Sequence, residues 1–182
     1  MAQFKAFAPN VKVNGQTVLS VINGLQQGQE SRREILANNG IKDPQPDQWY
    51  PQQSWLSSFE EIANKVGPNT LFMIGKSIPE QAKFPPQIDT LEKALGAVDV
   101  AYKMNHQGGD IGYYKLLNFD SKNRIATMEC KNPYPSEFDR GILMTMLRKF
   151  KPTDTHKYDV VLDLGKPSRL SGADSCTFKI SW

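Results

Sequence analysis

The chain has 182 residues, 39% of them hydrophobic and 23% charged, the proportions of one globular domain able to bury a core of its own. Thirteen glycines and twelve prolines are ordinary usage without a repeat, which excludes collagen-like, low-complexity and wholly disordered chains. Twenty-two Lys and Arg against nineteen Asp and Glu leave a net charge of +3, spread along the chain except for Arg148, Lys149 and Lys151; a nucleic-acid module would concentrate its basic residues on one face, so no nucleic-acid partner is expected.

Val11-Lys12-Val13 reads as a short extended piece and Asn14-Gly15 as a turn, after which Val18, Leu19, Val21, Ile22 and Leu25 recur at helical spacing. A second helix is predicted from Ser31 to Asn38, with Gly40 placed to take the left-handed conformation beyond its end. Between Lys42 and Gln53 three prolines remove donors and disfavour helix in the residues before them, giving a connector. Trp55, Leu56, Phe59, Ile62, Ala63 and Val66 share one helical face, with Ser54 as N-cap and Gly67-Pro68 as stop. The apolar run Leu71 to Ile74 predicts a core helix ended before Pro79, and Phe84-Pro85-Pro86 a loop. Asp89 and Glu92 have capping-box spacing, and Leu91, Leu95, Val98 and Tyr102 carry a helix to about Met104, closed by Gly108-Gly109.

The pattern then changes. Gly112 to Phe119 and Ile125 to Lys131, rich in aromatic and branched residues and joined by a polar turn, predict an antiparallel hairpin. Ser136 with Asp139 would cap a helix whose buried face uses Phe138, Ile142, Leu143, Met146, Leu147 and Phe150, with Pro152 beyond it. Its acidic residues lie early and Arg148 and Lys149 late, which suits the helix dipole and gives the basic group a structural reason. Tyr158, Val160, Leu162 and Leu164 alternate on one strand, and Cys176, Phe178, Ile180 and Trp182 on another. The expected class is α+β: one domain over 1–182, with a helical part, 1–68, and a core, 69–182, in which an antiparallel sheet of about four strands carries one inserted helix.

Gly75-Lys76-Ser77 looks like the end of a phosphate-binding loop, but Thr70 stands where the first glycine belongs and the residues between are apolar. His106 and His156, the two histidines, fall in a predicted glycine-rich loop and a polar turn, without ligand spacing, so no metal is expected. Cys130 and Cys176 sit in alternating strand patterns, where a thiol behaves as a small buried hydrophobe, so neither is read as a catalytic nucleophile. Met1 to Asn10 lacks the apolar run of a signal peptide and no stretch reaches the ~20 apolar residues that span a bilayer. Together these place the chain in the cytoplasm, with no membrane span and no enzymatic activity.

Phe72, Tyr102, Tyr113, Tyr114, Tyr134 and Phe138 lie where the long helix should face the sheet, a setting suited to an apolar small molecule. The run of elements through Tyr134-Pro135-Ser136-Glu137-Phe138-Asp139-Arg140-Gly141, with Leu71 to Lys76 and Ser175 to Ile180, resembles the superfamily shared by heme nitric-oxide/oxygen-binding (H-NOX) domains, vinyl reductase-like ligand-binding domains and TRAPP-complex subunits. In the heme branch a histidine on the long helix ligates iron and a Tyr-x-Ser-x-Arg motif holds the propionates. By that resemblance Leu95 stands at the ligand position, and Phe138 replaces the arginine, which recurs as Arg140, rotated by about 200° on a helix. The zinc-binding cysteines of the vinyl reductase-like branch are too few here. The resemblance therefore implies a non-enzymatic sensor that holds an apolar or amphipathic ligand, without heme or other cofactor, among Phe72, Leu95, Tyr102, Tyr113, Tyr134, Phe138 and Arg140. With no output domain in view, a separate signalling protein is the expected partner. The alternatives are a homodimeric structural or partner-binding domain, and a heme gas sensor ligated by His106.

Overall fold

The computed structural model describes residues 3–182; Met1 and Ala2 of the expected single domain lie outside the described residues. The class is α+β, as expected, with helices first and an antiparallel sheet in the second half.

Strand β1 (Lys12–Asn14) runs straight into helix α1 (Gly15–Asn23). Asn14 is extended and its side-chain oxygen accepts the Gln16 N–H at 2.7 Å, so the expected Asn14-Gly15 turn is instead an N-cap and a first helical residue. Helix α2 (Gln29–Asn38) starts two residues before Ser31, and Gly40 has φ +87° beyond its end. The proline-rich connector contains β2 (Trp49–Pro51), and α3 (Gln52–Val66) follows with Pro51, not Ser54, in the capping position.

Helix α4 (Pro68–Gln81) accepts Pro68 in its first turn, where the missing N–H has no intrahelical partner to lose. It also runs through Pro79, which had been expected to stop it; so near the end, the proline forgoes a single intrahelical bond. Helix α5 (Leu91–Met104) is capped by Thr90, whose hydroxyl accepts the Lys93 N–H at 3.3 Å, while Asp89 pairs with the Lys93 ammonium at 2.8 Å. The expected capping box of Asp89 and Glu92 is thus replaced by a single hydroxyl cap one residue further on.

His106 and Gln107, expected in a loop, form β3 (His106–Gln107), which pairs with β1. The resulting three-stranded sheet, β2-β1-β3, is built from strands too short to show a period of two. The main sheet has the order β4-β5-β7-β6, with every pairing antiparallel: β4 (Tyr113–Asp120), β5 (Ile125–Lys131), β6 (Asp159–Leu162) and β7 (Ser175–Ser181). Strand β6 is shorter than its alternation suggests, and Leu164 beyond it is 87% exposed.

Helix α6 (Ser136–Phe150) lies in sequence between the two halves of the sheet. Pro135 takes its capping position, so Ser136 and Asp139 lie within the helix. It crosses α4 at a point where both backbones are bare: a Cβ on Gly75 would stand 2.1 Å from the Phe138 carbonyl oxygen, and one on Gly141 2.2 Å from that of Phe72. This crossing, rather than phosphate, is what Gly75 serves. The basic group also has local partners, since Arg148 and Lys149 pair with Glu80, and Lys151 donates to the Thr155 carbonyl.

Candidate functional site

Three segments converge on one buried cluster. The amphipathic face of α3 brings in Gln52, Trp55 and Phe59; the end of α5 and the residues just after it bring Tyr102 and His106; the segment opening α6 brings Tyr134 and Phe138. All seven are buried.

The hydrogen bonds set the state of the histidine. Its Nδ1 lies 2.8 Å from the Tyr102 carbonyl, which can only accept, so Nδ1 carries the proton and Nε2 accepts from the Tyr134 hydroxyl at 2.6 Å. Burial pushes the His106 pKa down to about 4, against the upward pull of the Tyr102 carbonyl, and the ring is neutral near neutral pH. The Tyr134 oxygen also accepts Gln52 Nε2 at 3.5 Å, and burial holds its phenol well above the ordinary tyrosine range. Tyr102 donates to the Ile111 carbonyl at 2.5 Å. Among the described residues, Gln52 Oε1 and Trp55 Nε1 are buried and have no hydrogen-bond partner of good geometry.

The rings close the space between them. Centroids lie 4.9 Å apart for Trp55 and Phe59, 5.0 Å for Phe59 and Phe138, 5.3 Å for Tyr134 and Phe138, and 5.2 Å for Tyr102 and Tyr114. A surface cleft of about 580 Å³ lies elsewhere, lined by Glu30, Arg33, Glu34 and Lys42 among others.

A second buried cluster adjoins Tyr134. Arg169, from the 3-10 turn Arg169–Ser171 between β6 and β7, pairs with Asp139 of α6 and donates to the carbonyls of Asn132 and Tyr134 at 2.8 and 2.6 Å. Tyr114 donates to the same carboxylate at 2.5 Å, and burial together with that negative charge holds its phenol well up.

Of the residues expected to line a pocket, Tyr102, Tyr134 and Phe138 do meet, with Leu95 fully buried on α5. Phe72 and Arg140 meet each other instead: the guanidinium stacks 4.1 Å from the Phe72 ring centroid and pairs with Glu137 at 2.8 Å. The interior charge assigned to Arg140 thus comes from Arg169. Tyr113 stands apart, half-buried and donating to Glu129 at 3.0 Å, while its neighbour Tyr114 turns inward. His106, read as a loop residue, is buried; its spacing of four after Tyr102 at the end of an apolar helical face was the signal available. No sequence signal marked Gln52, Asp139 or Arg169 as interior residues.

No protein-family model matches the sequence, and no curated relative matches it. Solved structures do. An H-NOX protein of S. oneidensis in the Fe(II)NO ligation state shares 14% identity and a TM-score of 0.67 over 92% of this chain and 98% of that one. An oxygen-binding H-NOX domain related to soluble guanylate cyclases, solved as its oxygen complex, shares 16% identity and a TM-score of 0.64 over 92% and 94%. A third structure, concerned with modulation of heme redox potential by porphyrin distortion, shares 15% identity and a TM-score of 0.60 over 93% and 99%. The chain therefore has the H-NOX fold; at these identities the likeness is one of fold.

This comparison corrects the expectation that no cofactor is bound. The fold is that of proteins solved with ligated iron or heme, and in this chain the buried imidazole stands at position 106 rather than at 95. The donor chemistry present fits such a group: a neutral imidazole whose Nδ1–H is tied to a backbone carbonyl presents its remaining lone pair at Nε2, the usual arrangement of a metal-bound histidine. Entry requires the Tyr134 hydroxyl to leave Nε2 and the rings to part.

Proposed function

We propose that this chain is a non-enzymatic, cytoplasmic sensor domain that takes heme into the cluster between α3, α5 and the start of α6, with His106 as the protein ligand. The observation that carries the reading is the buried, neutral His106, oriented by the Tyr102 carbonyl with its Nε2 lone pair directed into the cluster. Tyr102, Tyr134, Phe138 and Phe59 supply the ring surface, and Gln52 Oε1 and Trp55 Nε1 are polar groups in need of a partner. Bound there, heme would supply an iron centre for a diatomic gas. The chain's own part is to hold the imidazole in one tautomer, exclude water and pass a rearrangement of Tyr134 to α6, where a separate protein would read it.

The test is a heme titration of the purified chain followed by visible absorption. An intense band that saturates at one heme per chain, and is lost or shifted in His106→Gln shown to be folded by circular dichroism, supports the reading. A colourless product, or a spectrum that His106→Gln leaves unchanged, overturns it.

A further inference from the structure

Cys130 of β5 and Cys176 of β7 stand directly opposite each other in the antiparallel register, both fully buried. Residues so opposed have Cα atoms about 4.5–5.5 Å apart and side chains on one face, within the separation that disulfides span. Their surroundings differ. The Cys176 sulfur lies 2.9 Å from the Ser136 hydroxyl and 3.5 Å from that of Ser168, and it accepts the backbone N–H and the Nε–H of Arg169 at 3.3 and 3.4 Å. Hydroxyls, a backbone amide and a guanidinium converging on one sulfur form a setting for a thiolate.

We propose that Cys130 and Cys176 are a peroxide-reactive dithiol, with Cys176 the attacking sulfur and Cys130 the resolving one, and that they close into a disulfide bridging β5 and β7.

The ordering of the two thiols agrees with their environments. Burial alone would push Cys176 up, but the Arg169 guanidinium and the hydrogen bonds from Ser136, Ser168 and Arg169 outweigh it and hold the thiol below its ordinary value. Cys130 is pushed well up by burial and by Asp139. In the first step the Cys176 thiolate attacks one oxygen of hydrogen peroxide; the O–O bond breaks, the departing hydroxide takes a proton to become water, and Cys176 is a sulfenic acid. The Cys130 sulfur then attacks the Cys176 sulfur, the S–O bond breaks, and the hydroxide leaves with the Cys130 proton as a second water. Two thiols are oxidised by two electrons in all, and the peroxide is reduced by two. The cover over Cys176 is Ser168 and Arg169 of the β6–β7 connection, so a peroxide reaches the sulfur when this connection lifts. Disulfide formation takes the thiolate away from Arg169, which also holds the Tyr134 carbonyl, and so bears on the histidine cluster.

The experiment treats the reduced full-length chain with hydrogen peroxide, then quenches, denatures and alkylates it for intact-mass and peptide analysis without reductant. The expected product has lost the mass of two hydrogens, takes no alkylating agent, and yields a linked peptide pair containing Cys130 and Cys176. Cys130→Ser should stop at a sulfenic acid on Cys176, trapped by dimedone, and Ser136→Ala, which removes one donor, should slow disulfide formation about fivefold. Both thiols remaining alkylable after treatment, a sulfenic acid trapped first on Cys130, or linkage found between chains only, would overturn the proposal. The wild-type mapping decides the matter even should a variant fail to fold.

Discussion

Arg169 and Asp139 meet as an ion pair with neither side chain exposed to solvent. The pair joins the connection between β6 and β7 to the first turn of α6, and Tyr114 and Asn132 complete the carboxylate's hydrogen bonding at 2.5 and 3.2 Å. Burial is the largest single influence and pulls the Arg169 pKa down, but Asp139 together with Cys176 and Cys130 outweighs it and holds the guanidinium above its ordinary value, so it stays charged. Truncating one member leaves the other charge buried and alone, which costs about 3–5 kcal/mol. Arg169→Met and Asp139→Leu should each lose that much in urea denaturation, whereas the double variant should lose clearly less than their sum. Additive losses would mean the two residues do not act as a pair.

The α4–α6 crossing makes a different demand. A Cβ at Gly75 or Gly141 meets a carbonyl oxygen of the other helix well inside van der Waals contact, and backbone cannot yield as a flexible side chain can. Gly75→Ala is expected to lower stability by about 1–3 kcal/mol as the helices are forced apart. Gly96, on the exposed face of α5, has nothing within 4 Å of such a Cβ; there the substitution to alanine should stabilise by roughly 0.5–1 kcal/mol. Thermal melts of the two variants should move in opposite directions.

The buried imidazole gives stability a pH dependence. His106 titrates at about 4 in the fold against 6.5 for an ordinary histidine, so between those values the unfolded chain binds the extra proton and acid favours unfolding. The contribution is fully present above pH 6.5 and is lost as pH falls through about 4, amounting to about 3 kcal/mol across that window. Denaturation midpoints measured from pH 7.5 down to 4 should fall, and His106→Gln should flatten the part of that fall confined to this range. An identical slope in the variant would assign it to carboxylates instead.

The chain's local patterns decided a good part of the fold. The hairpin from Tyr113 to Lys131, the alternation from Cys176 to Trp182 and the apolar faces of α3, α5 and α6 are periodic over enough residues to be read directly, and each forms where its period requires. The α+β class follows from their order.

What the tertiary structure alone decided is the pairing of distant, aperiodic pieces. Strands of two or three residues, such as β3, have no period to show, so the contact that buries His106 against β1 was not legible. Arg169 lies between the two last alternating segments, where the sequence shows no period, and only the return of the β6–β7 connection over Asp139, Asn132 and Tyr134 makes it an interior charge. Tyr113, expected inward from its place on the hairpin, and Arg140, expected there from the family resemblance, are held away from the cluster by partners on their own outer faces, Glu129 for one and Glu137 with Phe72 for the other. Periodicity is a property of neighbours along the chain, whereas the partner of a buried polar group is chosen by how remote segments pack, because such a group stays inside only where another element brings the complementary donor or charge.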